Sequence, residues 1–111
     1  MKNIFETLIG SKKRYNQYKK EKNALPENYR LAMEALEKYM FNFAKGDGFM
    51  VVLEDVLHLF QESAIENVPV KEIIGEDPVE FADAIMAQYP EELWIVKIRT
   101  HLTEEIKKIG E

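Results

Sequence analysis

The stretch Tyr29–Ile65, YRLAMEALEKYMFNFAKGDGFMVVLEDVLHLFQESAI, decides the fold. Two apolar helical patterns meet in it at a single break, Gly46-Asp47-Gly48. In the first pattern Tyr29, Ala32, Met33, Leu36, Tyr39, Met40 and Phe43 share one broad face, with Glu34, Glu37, Lys38 and Asn42 opposite. Leu31 and Phe41 fall outside that face. A helix apolar beyond one stripe is contacted from more than one side, which makes helix 2 the candidate centre of the fold. The second pattern runs from about 48 to 66. Val52, Leu53, Val56, Leu57, Leu59, Phe60 and Ala64 face one way, and Glu54, Asp55, His58, Gln61 and Glu62 the other. Gly46 suits the left-handed residue that closes a helix, and Asp47 suits the cap that opens the next. So short a connection predicts an antiparallel hairpin of helices 2 and 3.

Working outward, the spacing predicts helix 1 over 3–22, with Ile4, Leu8, Tyr15 and Tyr18 on its stripe and Phe5 and Ile9 widening it. Gly10 and Ser11 weaken the middle of that helix. Pro26 or Glu27 opens helix 2, where a missing amide costs nothing. Beyond Pro69, the segment VKEIIG reads as one or two helical turns ending at Gly75. Asp77-Pro78-Val79-Glu80 carries an Asp cap and a proline at the first helical position. Phe81, Ala82, Ile85, Met86 and Tyr89 then line helix 5, which Pro90 breaks. Glu91 and Glu92 open helix 6, whose stripe is Trp94, Ile95, Ile98, Leu102, Ile106 and Ile109 and whose stop is Gly110. The expectation is an all-α chain: five to six helices in one compact domain over residues 1–111, organised around the hairpin.

Composition agrees with that reading and narrows the function. At 111 residues the chain can bury one substantial core. Its single unbroken apolar run of note, Phe49 to Leu53, is far too short to cross a membrane. No secretory signal pattern opens the chain, so the default compartment is the cytoplasm. Cysteine is absent, which removes disulfides and thiolate chemistry. The net charge of −5 is uneven: residues 1–22 carry seven basic and two acidic side chains, and the remainder carries eight basic and eighteen acidic. Six of those basic residues fall within 12–22, interleaved with Tyr15 and Tyr18. Lys12, Lys13, Arg14, Lys19 and Lys20 are therefore candidate phosphate contacts, although an ordinary solvated helix face explains them more simply.

Chemistry-bearing patterns are few. Asp55 stands three residues before His58, with Glu54 and Glu62 each four from it, and a carboxylate three before a histidine resembles half the ligand set of a di-iron bundle. Asp55, His58 and Glu62 are the metal candidates, but they share a polar face suited to ordinary i, i+3 and i, i+4 pairing. His101 has Ile98 where a matching carboxylate would stand, and Glu105 is its natural partner. Neither Ser11 nor Ser63 sits on a nucleophile elbow, and Gly46 with Gly48 matches no phosphate or dinucleotide loop. We therefore expect no catalytic activity and no cofactor. The twelve aromatics and the surplus apolar positions on helices 2 and 6 favour a protein–protein interaction or regulatory module, homodimer included. Leu31, Phe41 and Trp94 are its candidate anchors. The alternative is a nucleic-acid accessory protein working through the basic helix.

Four stretches carry a family resemblance: Ala24-Leu25-Pro26-Glu27-Asn28-Tyr29-Arg30, Tyr39-Met40-Phe41-Asn42-Phe43-Ala44, Gly46-Asp47-Gly48 and Gly75-Glu76-Asp77. In this order they resemble domain-of-unknown-function family 1048, small proteins chiefly from Bacillus and related bacteria. The resemblance implies an all-helical fold in a left-handed superhelical arrangement and implies no established activity. It also implies kinship with helical domains encoded beside PadR-like regulators, which favours the interaction reading.

Overall fold

The computed structural model describes the backbone of residues 4–44, 48–90 and 93–110, and within those ranges the side chains from residue 12 onward. Among the described residues six helices follow one another: α1 (Ile4–Asn23), α2 (Glu27–Met40), α3 (Met50–Ile65), α4 (Val70–Ile74), α5 (Pro78–Ala87) and α6 (Trp94–Lys108). Among the described residues there is no strand. The all-α reading holds, and so does the packing of α2 on α3. The side chains of the stripe positions Ile4, Phe5, Leu8 and Ile9, and all of the capping residues Gly46 and Asp47 and the helix-opening Glu91 and Glu92, lie outside what is described.

The core forms where α2 and α3 meet. α3 supplies Met50, Val52, Leu53, Val56, Leu57 and Phe60, and α2 supplies Tyr29, Met33, Leu36 and Met40. Burying such side chains contributes about 1.5–3 kcal/mol each, which lets the β-branched α3 stay helical. α2 also packs against α1, α4 and α5, as a helix apolar on several sides should. Ala82 and Met86 bring α5 into the same core. Leu59, expected on the buried face of α3, is instead an exposed side chain.

The helix ends follow the sequence closely. Asp77 Oδ1 accepts from the amides of Val79 and Glu80, at 3.0 and 3.1 Å, with Pro78 beside it. Gly75 closes α4 with φ of 83°. α2 ends earlier than its apolar pattern suggests, at Met40. The Asn42 side-chain amide donates to the carbonyls of Lys38 and Tyr39, and the Phe43 amide donates to Met40. These bonds offer the last carbonyls a tighter turn in place of another helical one. α3 closes on Asn67, at φ of 60°, with Val68 N–H donating to Ser63 and Asn67 N–H to Ala64. That is a Schellman closure with asparagine in the left-handed position, and Pro69 follows it.

α6 stands apart. It contributes no buried residue, and no extensive packing joins it to another helix among the described residues. Its opening is fixed by the Trp94 amide, which donates to the Phe43 carbonyl at 2.8 Å. The radius of gyration is 17.1 Å, against about 13 Å for a sphere-like chain of this length.

Candidate interaction surface

Four tyrosine hydroxyls tie the body together, each between a different pair of segments. Tyr18 on α1 donates to Glu37 on α2, and Tyr29 on α2 donates to the Val68 carbonyl beyond α3. Tyr39 on α2 donates to Asp83 on α5 at 2.6 Å, and Tyr89 donates to Asp55 on α3. Burial, with the Glu37 hydrogen bond second, pushes the Tyr18 phenol far above its ordinary value. The carboxylates Asp83 and Asp55 raise Tyr39 and Tyr89 in the same direction.

Glu37 corrects the reading of α2. Placed by periodicity on the solvent side, it is buried, because α1 covers that side of the helix. Lys22 Nζ meets both its carboxylate oxygens, at 3.2 and 3.0 Å. An ion pair so little exposed requires both partners, since either charge alone would be desolvated without compensation. Two basic residues of the 12–22 cluster are thus paired with carboxylates of other helices, one buried and one at the surface. Lys22 is one, and Arg14 is the other, forking onto Glu54 through Nε and Nη2. That guanidinium lowers the Glu54 carboxyl. Lys12, Lys13, Lys19 and Lys20 remain exposed, Lys19 lying over the Tyr15 ring at 5.4 Å from its centre.

The metal candidates scatter in role. Asp55 accepts from Tyr89, while His58 and Glu62 are exposed on the same helix. Among the described residues no three histidine or carboxylate side chains converge on a point where an ion could sit. His101 forms its i, i+4 pair with Glu105 at 2.9 Å.

Of the three proposed anchors, Phe41 is half-buried and packs edge-on to Phe49 with ring centres 6.0 Å apart, so it belongs to the body. Leu31 is 50% exposed on the outer side of α2 and Trp94 42% exposed at the start of α6. The larger apolar feature extends from Trp94 along its helix. Ile95, Ile98, Leu102, Ile106 and Ile109 all remain between 47% and 64% exposed. At 100° per residue they form one narrow stripe. Single exposed apolar residues need no explanation, but a continuous row of five on one helix does.

A family model matches residues 6–107, nearly the whole length described. The chain belongs to the family described as protein of unknown function (DUF1048). No curated protein matches it. The resemblance seen in the four sequence stretches is thereby borne out at the level of the family, and the DUF1048 match spans all six helices but for their outermost residues.

Proposed function

We propose that this DUF1048 chain is a cytoplasmic, non-enzymatic protein–protein interaction module, with α6 as its docking element. The observation that carries the reading is the row Ile95, Ile98, Leu102, Ile106 and Ile109, left exposed along one face of a helix that buries no residue. An amphipathic helix with an open apolar face is the form in which helix-in-groove and helix-on-helix recognition is built. The body supplies the rigid base, and the bond from the Trp94 amide to the Phe43 carbonyl sets where the helix leaves it. A photoreactive residue at position 102, introduced in cells, is expected to give protein adducts that the same residue at exposed Glu66 does not. Equal labelling from both positions would defeat the assignment of α6.

The second reading, nucleic-acid contact through α1, is favoured by the exposed Lys12, Lys13, Lys19 and Lys20. Phosphate contacts by four lysines would make binding steeply salt-dependent. Retention of mixed DNA or RNA at low salt, lost in a quadruple Lys→Glu variant, would support it. No binding at low salt would end it.

A further inference from the structure

We propose that the partner of α6 is the α6 of a second copy, paired antiparallel about a two-fold axis that passes beside Leu102. This rests on the interaction reading and names its occupant. Trp94 lies at the edge of the stripe, about 80° from its centre, and the central positions are 95, 98, 102, 106 and 109, so the steps along them are three, four, four and three. That order reads the same in both directions. A two-fold at Leu102 therefore sets Leu102 against its own copy, Ile98 against Ile106, and Ile95 against Ile109, with every apolar residue meeting another. Self-complementarity of one patch is what an isologous dimer requires.

Area and charge agree with the same pairing. With five side chains between 47% and 64% exposed, the stripe presents about 550 Å² of apolar surface. Two such stripes can bury at most about 1,100 Å², which places the pair with weak, concentration-dependent associations. On the helical wheel Lys97, Glu104, Lys107 and Lys108 fall on the side away from the stripe, so the lysines of two copies do not meet. Antiparallel helix dipoles attract, whereas parallel ones repel. At 1.5 Å per residue the 15-residue helix is about 22 Å long, and reversing its mate carries the two starting points, each fixed to a body, to opposite ends.

The chain has no cysteine, so single cysteines report the geometry directly. The full-length protein is expected to sediment as a dimer at micromolar concentration. Leu102→Glu, which sets two carboxylates against each other at the axis, should weaken the dimer about a hundredfold or more. At dilutions where both proteins are monomeric, circular dichroism should be unchanged, since α6 buries nothing in the body. Under mild oxidation Leu102→Cys should crosslink with itself. Ile98→Cys alone should not, but a mixture of Ile98→Cys with Ile106→Cys should give the mixed dimer. Self-crosslinking of Ile98→Cys would overturn the antiparallel arrangement. A monomer at every concentration would overturn the self-pair altogether. The broader interaction reading falls separately, only if Leu102→Glu also leaves the cellular photoadducts of a reporter at Ile98 unchanged.

Discussion

Tyr18 and Glu37 show how much one polar contact weighs in a body of this size. The Tyr18 hydroxyl and the Lys22 ammonium both depend on the Glu37 carboxylate, and all three residues are buried. Replacing Glu37 with alanine strands a buried ammonium and should cost about 3–5 kcal/mol, measurable by urea unfolding. Tyr18→Phe removes one hydrogen bond to a charged acceptor and should cost about 1.5–3 kcal/mol. The pH dependence has a definite sign. Tyr18, Tyr39 and Tyr89 are all raised above the unfolded tyrosine value, so their contribution is complete below about pH 10 and is lost as pH rises beyond it. Glu54 is lowered, so its smaller contribution is present at neutral pH and lost as the solution turns acid. Thermal unfolding followed from pH 8 to 11 should therefore fall off above about pH 10. The decline should be shallower in Tyr18→Phe, and an identical decline would show that Tyr18 does not contribute to it.

At the scale of the element, two helix ends make opposite demands. Asp77 accepts two amides at the start of α5, and Asp77→Ala should cost about 1 kcal/mol. Asn67 sits at φ of 60° in the closure of α3, where Asn67→Gly should be neutral or stabilising and Asn67→Val should cost about 1–2 kcal/mol. Measured together in chemical denaturation, the pair tests the closure directly: a tolerated valine would mean that the turn can relax. α6 makes no comparable demand on the body. Its cohesion comes from its own backbone ladder, the His101–Glu105 pair, and whatever covers its stripe. A 15-residue helix with so little support is marginal in water, so covering the stripe should also raise its helicity.

The whole molecule divides into a body with a continuous core and one helix outside it. Large-to-small changes should respect that boundary. Phe60→Ala, at a fully buried position, should cost about 3–5 kcal/mol. Ile106→Ala should leave the unfolding midpoint of the dilute protein within a degree or two and act only on association, read by sedimentation. A large loss of dilute-state stability from Ile106→Ala would mean that α6 folds back onto its own body. The family match places both parts within one DUF1048 unit, since it runs from residue 6 to residue 107.

The sequence by itself determined the helices, most of their ends and the core face of the hairpin. Periodicity and capping act within a few residues, and Asp77-Pro78, Gly75 and Gly110 each do their work locally. It also showed that helix 6 carries an apolar stripe. Other features are decided by which helix lies against which, and one chain's periodicity carries no such information. Glu37 looked solvated until α1 covered it, and Leu59 looked buried but lies at the exposed edge of the α3 stripe. The tyrosines were legible as apolar positions, but the carboxylates that receive their hydroxyls come from segments 19 to 44 residues away. Only the tertiary structure separates the stripe of α3, which is core, from that of α6, which is surface. An apolar stripe specifies that a helix will be covered, and the packing of the other five, among the described residues, leaves this one uncovered.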